Sequence, residues 1–138
     1  MSQENVEIVR RFVDCWQRQD WDAMVPLADP QVEQHGTVGG LDEGRVLRGV
    51  SEIREDYESV EQTWEEHRVE PQELIDAGDS VVIFLREHQR GKASGIELVV
   101  DTAVVVDVRD GRIVRTQGYM NRSEALEAVG LSPQAHGL

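Results

Sequence analysis

At His67 the hydrophobic pattern of this chain changes period, and that one change limits the folds open to it. Upstream, apolar residues recur at three- and four-residue steps, the spacing of an amphipathic helix. Val6, Val9, Val13 and Trp16 form such a stripe between Gln3 and Gln19, with Ile8 and Phe12 beside it. Asp20 reads as the N-cap of a second, short helix carrying Trp21, Met24, Val25 and Leu27. Asp29-Pro30 is expected to end that helix, because the residue before a proline is pushed out of helical backbone. A short strand is predicted over Val32 to His35, then a glycine-rich connection through Gly36, Gly39, Gly40 and Gly44. After Gly49 a third helix places Ile53, Tyr57, Val60 and Trp64 on one face. Its other face carries Glu52, Glu55, Asp56, Glu58, Glu61, Glu65 and Glu66, the pattern of a solvated surface rather than of a metal site.

Downstream the period is two. Val69 to Asp76, Ser80 to Arg90, Ile96 to Arg109 and Arg112 to Asn121 read as four strands. Ala77-Gly78-Asp79, Gly91 to Gly95 and Asp110-Gly111 separate them, the last being a strong two-residue hairpin signal. Asn121 with Glu124 three residues on marks the start of a final helix, packed by Ala125, Leu126 and Val129 and stopped at Gly130. Helices laid on one side of a curved antiparallel meander make an α+β layer fold. Curvature leaves a conical cavity between the two layers, where a ligand would sit.

The 138 residues fit one domain, expected over residues 1–131, with a frayed tail over 132–138. A formal charge of −13 excludes the clustered cations that nucleic acid or an anionic membrane surface would need. Cys15 is the only cysteine, so neither an intramolecular disulfide nor a cysteine metal cluster can form. The acidic start and apolar runs of only about five residues predict a cytoplasmic protein without a membrane span.

The element order resembles the NTF2-like superfamily, and local phrases resemble its SnoaL-like branch. These are Gln19-Asp20-Trp21-Asp22-Ala23-Met24, Ala28-Asp29-Pro30-Gln31-Val32-Glu33, Leu47-Arg48-Gly49-Val50, Leu74-Ile75-Asp76-Ala77-Gly78-Asp79, Val108-Arg109-Asp110-Gly111-Arg112-Ile113 and Tyr119-Met120-Asn121-Arg122-Ser123-Glu124-Ala125-Leu126. The resemblance implies an NTF2-like cone, in a superfamily that holds ketosteroid isomerases, epoxide hydrolases, dehydratases, polyketide cyclases and binding-only proteins. It places His35 where the isomerases have a catalytic aspartate. It also places Arg86 and His88 where limonene epoxide hydrolases carry an arginine and an aspartate. Three departures break the family's catalytic sets: Gly118 replaces an acidic residue, Phe12 replaces the isomerase tyrosine, and Val104 stands near the cyclase histidine.

On the residues themselves, a histidine at a strand end such as His35 is suited to general-base work near neutrality. Alternation puts Phe84, Arg86 and His88 on one face of their strand. The expected catalytic groups are therefore His35, His88 and Arg86, and the expected ligand walls are Phe12, Trp16, Tyr57, Trp64, Phe84, Thr116 and Gly118. The strand from Ile96 to Arg109 has two possible registers. With Thr102, Val104 and Val106 inward, Asp101 and Asp107 face out; the other register brings Asp101 in with Ala103 and Val105. No metal and no cofactor are implied. Three functions remain open: capture of a small apolar molecule; an isomerase, epoxide hydrolase or dehydratase using His35 or His88 with Arg86; or a non-catalytic interaction domain. A homodimer through the sheet is expected, with Tyr119 on its outer face.

Overall fold

The computed structural model describes residues 2–138. Helix α1, Ser2–Arg18, buries Val9, Phe12, Val13 and Cys15 along one stripe. Asp20 then accepts a hydrogen bond from the Ala23 amide at 3.2 Å and caps α2, Trp21–Met24, which runs on into a 3-10 turn over Val25–Leu27. Strand β1 begins earlier than the proline suggested, spanning Ala28–Val38. Pro30 is tolerated because the β1 pairing is irregular between Ala28 and Glu33, where a missing amide costs no ladder bond.

The glycine-rich connection hides a strand that has no pattern of its own. Val46–Arg48 forms β2, antiparallel to β1 with Gln34 opposite Leu47. Helix α3, Gly49–Glu61, buries Ile53 and stops before Trp64. The Thr63 amide and hydroxyl both bond the Val60 carbonyl, and Trp64 already pairs with Gly91. Trp64 therefore opens β3, Trp64–Asp76, instead of extending the helix. Glu65 and Glu66 are strand residues for the same reason.

Strands β4, Ser80–Gly91, β5, Glu97–Arg109, and β6, Arg112–Tyr119, complete a six-stranded sheet ordered β2-β1-β6-β5-β4-β3. The sheet is mixed rather than wholly antiparallel, since β1 runs parallel to β6. Asp110 and Gly111 both take positive φ (51° and 76°), the backbone of the tight hairpin that the dipeptide signals. Asn121 accepts from the Glu124 amide at 3.1 Å and caps α4, Arg122–Ala128. The tail expected to fray carries a 3-10 turn at Pro133–His136.

The helices do not all lie on one side. Val81, Ile83 and Leu85 of β4 pack with Val106, Val108 and the helices α1 to α3. Val82 and Phe84 pack instead with Ala103, Val105, Ala125 and Leu126 under α4, on the far face. Both faces of mid-β4 are thus dry, and each fully buried aliphatic side chain there contributes roughly 1.5–3 kcal/mol. Among the described residues no helix is long and apolar enough to cross a membrane.

Candidate functional site

A cavity of about 270 Å³ opens between the sheet and the helices α1 and α3. Helix α1 supplies Phe12, Val13 and Trp16, α3 supplies Ile53, Tyr57 and Val60, and the sheet supplies Ile83, Leu85, Val104 and Val106. Tyr57 is fixed edge-on between Trp16 and Trp21, with ring centroids 5.8 and 5.4 Å apart. Burial, reinforced by the charge of Glu61, pushes its phenol up from the usual value. The polar side chains on the walls besides Tyr57 are Gln34, His35, Thr37, Asp42, Asp56, Glu87, Thr102 and Thr116.

Register decides which predicted residues reach this space. Ile83 pairs with Val104, and Val106 with Thr116, so Thr102, Val104, Val106, Thr116 and Gly118 face the cavity. Phe12, Trp16, Tyr57, Thr116 and Gly118 all line it. Asp101 faces out, where its carboxylate takes two hydrogen bonds from Arg86 at 2.8 and 3.1 Å. Those bonds hold Asp101 below the usual carboxylate range and raise the Arg86 guanidinium.

Four expected site residues therefore lie elsewhere. Phe84, Arg86 and His88 do share a face, but it is the far one, because residues 83, 85 and 87 take the cavity side. Phe84 packs under α4, with the Arg122 guanidinium 4.6 Å above its ring. His88 Nε2 is buried, 3.4 Å from Glu70 Oε2, without the alignment of a hydrogen bond. Trp64 stacks at a tilt on His67, outside the cavity wall. His35 is a partial case. It borders the cavity, but its Nε2 donates to Glu33 Oε1 at 2.9 Å, and it stands in register with Gln117 of the far face. The His35 bond, helped by Arg48 against desolvation, lowers Glu33. Gln34, in register with Thr116, faces inward in its place.

What the sequence pattern missed is a half-buried chain of polar groups ending at Glu87. Thr102 Oγ1 donates to Glu87 Oε2 at 3.2 Å, and His67 Nε2 lies 3.4 Å from Glu87 Oε1. On its other side His67 Nδ1 bonds Glu61 Oε1 from the end of α3. The His67 side chain is only 9% exposed. Glu87 and then Glu61 raise it above the ordinary histidine value, against the opposing effect of burial. Near the opening, Arg45 pairs with Asp56 at 2.6 Å, and Asp42 accepts from the Thr37 amide at 3.1 Å. The acidic face of α3 is thus not all solvated: Asp56 and Glu61 turn inward to these partners.

Residues 9–116 match the SnoaL-like domain family. This chain belongs to that family. The SnoaL-like fold also matches solved structures over most of its length. One is TerC co-crystallised with polyporic acid (23% identity, 91% of this chain and 98% of that one, TM-score 0.72). A second is an NTF2-like protein of unknown function from Burkholderia pseudomallei K96243 (21%, 92% and 98%, TM-score 0.72). A third is a hypothetical protein with a ketosteroid isomerase-like fold from Catenulispora acidiphila DSM 44928, in complex with trimethylamine (21%, 93% and 95%, TM-score 0.68). At these identities the likeness concerns the fold. Comparison with curated proteins returns no match. Among the described residues of this SnoaL-like chain, no group of three His, Cys, Asp or Glu side chains is placed to hold a metal ion.

Proposed function

We propose that this SnoaL-like protein takes up one small, mostly apolar organic molecule in the cavity between α1, α3 and the sheet. The observation that carries the reading is the wall itself: aromatic and aliphatic side chains around about 270 Å³, with a handful of polar groups to orient a guest. That volume sits at the small end of ligand sites, so a guest of one or two rings fits the space. The neighbours crystallised with polyporic acid and with trimethylamine support a small-molecule role for the fold. An interaction-only domain would go with a filled cavity, and an open one favours a ligand.

Neither lysine nor arginine stands among the cavity-lining residues, whereas Asp42, Asp56 and Glu87 do. A guest with a hydrogen-bond donor, such as a hydroxyl or an ammonium, suits these acceptors better than an anion. The test is calorimetric titration with a panel of small aromatic phenols, amines and carboxylates. Phenols or amines binding in preference to carboxylates supports the reading; no saturable binding by any member overturns it.

The homodimer through the sheet belongs to the same proposal. Ile96, Leu98 and Val99, 48–62% exposed near the start of β5, supply apolar contact that an acidic chain needs to meet its own copy. Sedimentation of the wild type against Val99→Glu checks it, a monomer in both cases counting against the dimer. A cytoplasmic location fits the acidic composition and the single cysteine.

A further inference from the structure

The cavity holds three carboxylates, and their partners differ in kind. Asp56 is tied at 2.6 Å to Arg45, a permanent cation. Asp42 is exposed and uses Oδ1 to hold the Thr37 amide of its own loop. Glu87 alone is held by a hydroxyl and a titratable ring, Thr102 at 3.2 Å and His67 at 3.4 Å. Each carboxylate oxygen carries two acceptor sites, so both Glu87 oxygens keep capacity for a guest.

We propose that Glu87 is the proton-accepting group of this cavity, and that His67, clamped between Glu87 and Glu61, is the residue that positions it. The inference rests on the reading of the cavity as a ligand site and adds a chemistry to it. The charged groups facing His67 are Glu61 from α3 and Glu87 from β4, and both favour its charged form over the neutral ring. His67 holds Oε1 of Glu87 and Thr102 holds Oε2, so the carboxylate keeps one orientation in the wall it lines.

Nitrobenzisoxazole tests this directly, because it is a small planar molecule whose ring opening needs only a base. The base removes the ring C–H as a proton, the C–H electron pair forms the nitrile, and the N–O bond breaks to leave a coloured phenolate. The proton passes from the base to water. Binding is followed by calorimetry and ring opening by absorbance, on the full chain.

The expected result is saturable ring opening in the wild type, with Glu87→Gln lowering the turnover rate by at least about tenfold while half-saturation stays within about threefold. Glu87→Asp, which keeps the charge but draws it back by one methylene, gives an intermediate rate and stands in if the glutamine variant does not fold. His67→Gln lowers the turnover rate by several-fold while half-saturation stays within about threefold, because Glu87 then loses the ring that orients it. This split between turnover and binding is something a merely structural role for His67 would not produce. Bound probe with ring opening unchanged in Glu87→Gln, or no faster in the wild type than in that variant, overturns the proposal. If the probe does not bind at all, the ligand-site reading fails first and the proposal falls with it.

Discussion

Gly118 lies against Thr37 so closely that a β-carbon built on it would stand 2.6 Å from the Thr37 hydroxyl and 3.3 Å from its Cβ. The small residue at this position therefore suits the packing of the cavity wall against Thr37. Gly118→Ala should destabilise by about 1–3 kcal/mol, the usual range for overpacking. Thr37→Ala, which removes the hydroxyl, should recover part of that loss in the double variant. Urea unfolding of the two single variants and the double variant reads the coupling; additive effects would show that Gly118 does not depend on Thr37.

Arg122 joins α4 to the sheet through three hydrogen bonds. Its Nε donates to the Thr102 carbonyl at 3.1 Å and its Nη2 to the Leu85 carbonyl at 2.8 Å and to Gln72 Oε1 at 2.6 Å. Arg122→Ala strips partners from two carbonyls of neighbouring strands and should cost about 2–4 kcal/mol. Arg122→Lys should recover less than half, since a point ammonium cannot serve this fork and lie over Phe84 together. Thermal melts of the three proteins check the order.

The stability of the fold should carry the titration of His67. Its folded value is raised above 6.5, so its stabilising contribution is complete below that pH and is lost as the pH rises through the raised value. Wild type should exceed His67→Gln in melting temperature by a few degrees at pH 6, and the gap should narrow toward pH 9. A gap independent of pH would mean that the ring acts by packing alone.

Val104 faces the middle of the cavity from β5, and Arg86 faces away from it on β4. Val104→Phe should fill the space and weaken small-molecule binding by at least about tenfold, at a stability cost no greater than the about 1–3 kcal/mol of overpacking. Arg86→Ala should leave the same binding unchanged within about twofold, because its guanidinium serves Asp101 on the opposite face. Calorimetry on the pair gives the comparison, and a loss in Arg86→Ala with Val104→Phe unaffected would place the ligand on the far side of the sheet.

The sequence by itself determined what depends on a few neighbouring residues. The Asp20 and Asn121 caps and the Asp110-Gly111 hairpin are set by side chains within one turn of each other, and each stands in the fold as read. The aromatic wall from Phe12, Trp16 and Tyr57 was legible for the same reason, because a helix face follows directly from spacing.

Only the tertiary structure decided which face of β4 meets the ligand. A strand orients itself in sequence by alternating apolar and polar residues, but Val81, Val82, Ile83, Phe84 and Leu85 are all buried, since α4 covers the side opposite the main helices. With both faces dry the alternation vanishes, and nothing local distinguishes Glu87 from His88 as the residue that enters the cavity. Likewise β2 and the strand start at Trp64 exist because distant partners, β1 and Gly91, take up their backbone hydrogen bonds. The pairing that brings Glu61, His67 and Glu87 together spans α3, β3 and β4, and no pattern within a single segment can specify a meeting of three.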